Sequence, residues 1–401
     1  MKKSAATDES GPADTAPASS VRLPQTTATS VSDVPFEPRR ILIVVTRQIG
    51  DVLLTTPLLQ AASERWPASS IDVLGSAGTL GMLAGRTDVA QRIEIGSLRL
   101  RPMLALAATI WRRYDLALVA DASDRAHLLG FAAARVRSGV VPERRTHAWW
   151  KRLLLRHAVV VGGDRGATHV TVEKLALLQP WCRVEALRST PSPPPPTPLP
   201  DDIAALLGEA PIVVHAPSMW RYKQWPIESF RVVIEGLLGE GRQVVLTGDT
   251  TAGDRAKVDA LLRLSPPPGL VDACGRLDFG QLATLLGRAA LYIGPDTSVT
   301  HLAAAVGVPV IALFGPTNPI RWAPIGRTVL DGALEPALER HGTAPQRRGN
   351  VVLIQGPGGC VPCGRAGCDD HRQSASACLE NIAPEQVLVE AHRVLERGPR
   401  Q

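Results

Sequence analysis

Short apolar runs without polar alternation recur along this chain, with helix-length stretches between them. The run Ile41 to Val45 is rich in β-branched residues, as expected for a strand buried on both faces of a parallel sheet. Similar runs at 71–74, 116–119 and 158–161 give the βαβ rhythm of a doubly wound sheet. The rhythm stops at Pro191 to Pro200, where seven prolines in ten residues exclude helix and central strand and predict a stiff, extended connector. It then restarts: 211–215, 243–247, 291–294 and 308–314 read as buried strands, and 228–239 and 278–289 as helices between them. From Pro384 to Glu396, the positions Val387, Leu388, Ala391, Val394 and Leu395 share one face of an amphipathic helix with Pro at its first turn. The pattern predicts an α/β protein of two Rossmann-like domains, 38–190 and 201–383, joined by a 191–200 linker and followed by a 384–401 helix and tail. Residues 1–37, polar and rich in Pro, Ala, Thr and Asp, read as a disordered tail.

Composition narrows the function. With 401 residues, 45% apolar and 20% charged, the chain is a folded protein of about two domains. Aromatic residues make up only 4%, too few for single-stranded nucleic-acid platforms, and a net charge of +6 is modest; no nucleic-acid partner is expected. No signal-peptide or membrane-spanning stretch is found, so a cytoplasmic location is expected, with a membrane surface within reach.

In two-domain α/β folds, ligands bind where the strands end. After 41–45 comes Thr46-Arg47-Gln48-Ile49-Gly50-Asp51, leading into a helix expected to continue through Leu54, Leu58 and Ala62. Asp51 is either an acid favoured by the helix dipole or a general base for a substrate hydroxyl. After 211–215, Ser218, Arg221, Lys223 and Trp225 form either a diphosphate-binding loop or a solvated one with Trp225 packed against the next helix. After 291–294, Asp296 or Thr297 caps a helix start whose free N–H groups suit an anion, with His301 one turn inside. The strand 308–314 ends in Gly315-Pro316 at the same edge. No G-x-G-x-x-G follows the first strand, which disfavours a dinucleotide dehydrogenase.

Three blocks, in order, resemble the bacterial glycosyltransferase family 9, the heptosyltransferases of the lipopolysaccharide inner core. They are Arg47-x-x-Gly50-Asp51 with Thr56-Pro57, Lys223-x-Trp225-Pro226, and Asp296-Thr297-Ser298-Val299-Thr300-His301 running through Pro309 to Leu313-Phe314-Gly315-Pro316-Thr317 and Trp322-x-Pro324. The resemblance implies a GT-B fold, acceptor in the first domain and nucleotide sugar, ADP-heptose, in the second. It makes Asp51 the catalytic base. It makes Lys223, Ser218, Asp254, Asp296, Thr297, Ser298, Val299 and His301 the donor site, with Arg47 on the acceptor side. Ser298 stands where many members have Gly, narrowing the room for a phosphate. The implied reaction is inverting transfer with Asp51 as base and Lys223 and the 296–299 turn stabilising the leaving diphosphate. No Asp-x-Asp pair occurs, so metal-independent transfer without a cofactor is expected. The alternatives are a same-fold transferase with another nucleotide sugar or a protein acceptor, and a non-catalytic nucleotide-sugar-binding protein.

Two features lie outside those motifs. Cys360, Cys363, Cys368 and Cys378 have a spacing that a structural Zn²⁺ could use, or are simply reduced thiols. Residues 92–156 carry 13 Lys plus Arg against 5 acids, an excess of eight, so this stretch alone exceeds the charge of the whole chain. Arg144, Arg145 and Arg152, beside Trp149-Trp150-Lys151, are expected to draw an anionic glycolipid acceptor from the inner face of the cytoplasmic membrane, unless they are merely a solvated basic face.

Overall fold

The computed structural model defines residues 23–27, 36–96, 99–143, 148–163, 166–264, 269–326, 338 and 344–397. The N-terminal domain holds strands β1 (Gln25–Thr26), β2 (Arg40–Val45), β3 (Ser70–Ser76), β4 (Gln91–Ile95), β5 (Tyr114–Val119), β6 (Ala134–Pro142) and β7 (His157–Val161). They form one sheet in the order β1-β7-β6-β5-β2-β3-β4, parallel except for β1. The C-terminal domain holds β8 (Ile212–His215), β9 (Val244–Thr247), β10 (Leu270–Asp272), β11 (Leu291–Pro295), β12 (Val310–Phe314), β13 (Gln346–Arg348) and β14 (Val351–Gln355). Their order is β10-β9-β8-β11-β12-β14-β13, with only β13 antiparallel. In each sheet the order reverses beside the first parallel strand, β2 or β8, which places the loops after those strands at the switch point.

The helices that bear on the site in the first domain are α1 (Ile49–Leu53), α2 (Thr56–Arg65), α3 (Leu100–Ile110), α4 (Asp124–Ala133), α5 (Trp149–Leu154) and α6 (Val170–Leu175). The continuous helix expected after β2 is in fact two, α1 and α2. Pro57 has no N–H for a ladder and sits in the first turn of α2, so the chain restarts there with Thr55 as N-cap. The helix Pro384–Glu396 forms with the bounds expected and packs on the helix Ile227–Gly239 as part of the second domain.

The expected disordered tail needs correcting where it is defined. Gln25 and Thr26 pair with Val160 and Val159 and extend the sheet edge, and Phe36 stacks on Trp181 and meets Trp66 edge-on. Aromatic burial and edge pairing outweigh the polar composition there. Residues 1–22 and 28–35 lie outside the defined residues.

The proline linker runs extended between the domains and is bonded to both. Ser192 N–H donates to Thr56 Oγ1 at 2.8 Å, and Thr197 N–H donates to the Gly280 carbonyl at 3.2 Å. Further polar contacts cross directly between domains: Asn318 Nδ2 to the Gly166 carbonyl at 3.0 Å, Arg321 to Glu173 at 2.9 Å, and His169 Nε2 with the Ala323 carbonyl at 2.9 Å. These fix the cleft in which the first-domain and second-domain loops meet.

Candidate active site

The turn after β2 is held from beneath by Asp121, at the end of β5. Its Oδ2 accepts from Thr46 N–H at 2.6 Å and Thr46 Oγ1 at 3.0 Å, and its Oδ1 accepts from Ser123 N–H at 2.9 Å. Burial works to raise the Asp121 carboxyl, but these hydrogen bonds overcome it and hold it below the usual carboxylate range. Thr46 gives its carbonyl to Ser76 Oγ at 2.8 Å and Arg125 Nη2 at 2.9 Å. The turn is therefore rigid where it enters α1.

Asp51 lies in the first turn of α1, 13% exposed, with Lys174 Nζ 3.8 Å from its Oδ1. Opposite it across the cleft is the start of the second-domain helix Ser298–Val306. A Cβ added to Gly50 would lie 3.5 Å from both Cα and Cβ of Ser298. The Gly50-Asp51 turn thus comes close against this helix start, with room for a methyl group but not for a larger side chain at position 50. Thr297 is the N-cap, and its side chain makes no cap hydrogen bond; Thr300 reaches back to the Pro295 carbonyl and Tyr292 hydroxyl instead. At its other end the helix stops at Gly307, whose φ of 101° an L side chain rarely adopts.

The Lys223 loop is anchored by Trp225, which is buried, donates from Nε1 to the Ile382 carbonyl at 3.1 Å and meets Phe230 edge-on. Lys223 Nζ lies 2.6 Å from Asp296 Oδ2. Burial works to raise the Asp296 carboxyl, but the charge of Lys223 and hydrogen bonds from Lys223 and Thr317 bring it below the usual range. Asp296 is therefore an ionised, buried partner that places Lys223 at the helix start rather than an anion ligand itself. His301, also buried, is pushed down to about 4 by burial and is neutral near pH 7.

The other residues expected on the donor side are held by local contacts. Val299 and Ser218 are buried, Ser218 accepting at its carbonyl from Gln224 and Lys257. Asp254 turns its Oδ2 back to the Asp249 N–H at 3.0 Å. His215 pairs with Thr247 at 3.1 Å and is lowered to about 4 by burial.

On the first-domain side a cleft of about 520 Å³ is lined by Arg47, Arg125, Ser76, Thr79, Ile95 and, from the second domain, Met219, among others. Its two guanidinium groups are Arg47 and Arg125, not Arg152. Arg152 instead bends to the carbonyls of Pro142 and Glu143, while Arg144 and Arg145 lie outside the defined residues. Lys151 is a further correction to the basic face: it is buried, bound to Asp124 Oδ1 at 2.7 Å and the Ala122 carbonyl at 2.6 Å. The motifs do not include Arg125, Asp121 or Lys174. An acid just after β5 and an adjacent Glu173-Lys174 pair in a short helix were the available signals.

Cys360, Cys363 and Cys368 lie in one loop and Cys378 in the short helix Ala377–Glu380 that follows; Cys360 and Cys368 are exposed and Cys363 and Cys378 half-buried. Burial pushes the Cys378 thiol up to about 11. Among the described residues no three His, Cys, Asp or Glu side chains converge as a metal site, so the thiols as placed do not frame a tetrahedral Zn²⁺.

Residues 195–336 match the family model described as glycosyltransferase family 9 (heptosyltransferase), spanning the Lys223 loop and the Asp296 helix start. Lipopolysaccharide heptosyltransferase 3 of Escherichia coli K12 is 28% identical over 291 residues, covering 69% of this chain and 83% of the relative. By these matches the chain is a glycosyltransferase that resembles family 9. Its fold agrees: E. coli ADP-heptose lps heptosyltransferase II superposes with a TM-score of 0.65 at 20% identity, over 89% of this chain and 99% of that one. A family 9 glycosyltransferase from Veillonella parvula gives 0.66 at 18% identity, over 90% and 97%. The two facing sheets of this glycosyltransferase are the GT-B arrangement, and the cleft between them holds both sets of motif residues.

Proposed function

We propose that this glycosyltransferase moves a heptose from ADP-heptose to a lipopolysaccharide inner-core or related anionic glycolipid acceptor, with inversion and without a metal or other cofactor. The observation that carries the reading is the meeting of the Asp51 turn with the Ser298–Val306 helix start, with Lys223 held beside it. The relatives' names, a lipopolysaccharide heptosyltransferase and an ADP-heptose lps heptosyltransferase, support the donor and acceptor classes.

In the reaction, the acceptor oxygen forms a bond to the anomeric carbon from the first-domain side and its proton passes to the Asp51 carboxylate. The bond from the anomeric carbon to the diphosphate oxygen breaks, and the electron pair leaves with the nucleoside diphosphate. Lys223 and the first-turn N–H groups of the helix stabilise that charge. Arg47 and Arg125 give the acceptor cleft its affinity for anionic groups.

The acceptor is a glycolipid reached at the inner face of the cytoplasmic membrane. Leu100 and Leu104 on α3 and Trp149 and Leu153 on α5 are all more than half exposed, beside Arg99, Arg101 and Arg152. Among the described residues no helix is long and apolar enough to cross a membrane.

A panel of nucleotide sugars, read by thermal stabilisation and by transfer to a truncated lipopolysaccharide, tests the reading. ADP-heptose is expected to stabilise the protein most and to be consumed. Preference for another nucleotide sugar would overturn the donor assignment, and EDTA-sensitive turnover restored by Mg²⁺ would overturn metal independence.

A further inference from the structure

Two successive side chains of α6 face different halves of the site. Glu173 accepts from Arg321 of the second domain at 2.9 Å, both side chains nearly buried. Lys174, whose side chain is 2% exposed, donates to the Asp51 carbonyl at 2.6 Å and Thr55 Oγ1 at 2.8 Å, with its charge 3.8 Å from the Asp51 carboxylate. The same short segment is pinned to the second domain by His169 at the Ala323 carbonyl and by Gly166 at Asn318.

Burying an ammonium group is costly unless it is paired and hydrogen-bonded. A hydrophobic residue would fill this slot more cheaply if filling were all that was needed. Burial pulls the Lys174 amine down from its ordinary range and Arg47 acts the same way, whereas Asp51, Asp121 and Glu173 around it favour the ammonium. α1 is a single short turn, and the Asp51 carbonyl takes hydrogen bonds from both Lys174 and Thr55 Oγ1, the latter at 2.6 Å, so the ammonium holds the backbone that carries the Asp51 side chain.

We propose that Lys174 is a positioning residue for Asp51, fixing the backbone of the turn that carries the base. Glu173, next to it and clamped to Arg321, ties that placement to the approach of the second domain. Base and donor site are thereby set together. This rests on Asp51 acting as the base in the reaction above.

The test compares K174M, E173Q and D51N in the full-length chain, with melting temperature, ADP affinity, kcat and the KM of donor and acceptor measured for each. K174M is expected to bind ADP within a few-fold of the parent, to keep both KM values within a few-fold and to lose kcat by ~10². A purely structural lysine would lower the melting temperature without lowering kcat per folded molecule, and this result overturns the proposal. E173Q is expected to lower kcat at unchanged KM, and to add little in the K174M background; full activity of E173Q, or simple additivity, overturns the coupling. If K174M does not fold, K174R decides the matter: it keeps a donor for the Asp51 carbonyl, so partial kcat at unchanged KM is expected, and a kcat as low as that of D51N overturns the role. An active D51N removes the base itself, whereas an inactive D51N with K174M at full kcat removes only the role of Lys174.

Discussion

Lys223 Nζ and Asp296 Oδ2 form a 2.6 Å ion pair at the start of the Ser298–Val306 helix, with Asp296 6% and Lys223 23% exposed. The asymmetry sets what each substitution does. K223M leaves a buried carboxylate without its cation, which costs about 1 to 3 kcal/mol of stability, and removes the diphosphate's charge partner. A lower melting temperature and weaker ADP binding are both expected. Adding D296N should restore the melting temperature but not the binding, as measured by thermal melts and ADP titration. Recovery of both would mean that Lys223 does not meet the donor.

The contact between Gly50 and Ser298 gives a steric prediction. A methyl group at 50 meets Ser298 at 3.5 Å, ordinary van der Waals distance, so G50A is expected to keep kcat within a few-fold. G50L overfills the same gap and is expected to abolish transfer with little change in melting temperature, since the side chain projects into the cleft rather than into a core. S298G in that background should recover part of the activity, measured as initial rates.

Much of the fold was legible because buried parallel strands leave an unalternating apolar signature. Ile41 to Val45 and the runs near 71, 116, 158, 212, 244, 291 and 310 all became strands. Some strands that were not anticipated break that signature. β4 carries Gln91, Arg92 and Glu94 at a sheet edge, and β6 carries Arg135 and Arg137 at its exposed beginning. Val351–Gln355 does show the signature and β14 could have been read from it. The site was legible where the motif residues lie on the chain segments that end strands. Lys174 and Asp121 were not, because their value comes from long-range contacts: Lys174 meets Asp51 across 123 positions and Asp121 meets Thr46 across 75.

Acid sensitivity follows from three buried histidines. Burial lowers His169 to about 3 and His215 and His301 to about 4, against 6.5 when unfolded. Each is neutral in the folded protein and takes up a proton on unfolding below pH 6.5. Their contribution is therefore intact above about pH 6.5 and is lost as the pH falls towards 4, at up to about 1.4 kcal/mol per pH unit for each proton. Urea midpoints measured from pH 7.5 to 5 should fall steadily, and H169Q should flatten the slope. An unchanged slope in H169Q would contradict its buried neutral state.

The exposed apolar side chains of α5 separate membrane contact from charge steering. Trp149 is 63% and Leu153 77% exposed, whereas Trp150 packs towards His127. W149S with L153S is expected to weaken sedimentation with anionic vesicles several-fold while leaving transfer to a soluble, delipidated acceptor unchanged. Equal vesicle binding by the double variant would assign contact to another face.

The central claim is a direct displacement in which Asp51 takes the acceptor proton while the diphosphate leaves from the opposite face. The anomeric configuration of the newly formed linkage, read by NMR after transfer from ADP-heptose of known configuration, tests it most directly. The account predicts the opposite configuration in the product, with D51N forming it ~10² to 10⁴ times more slowly. A product of retained configuration, or the same rate from D51N, would contradict it.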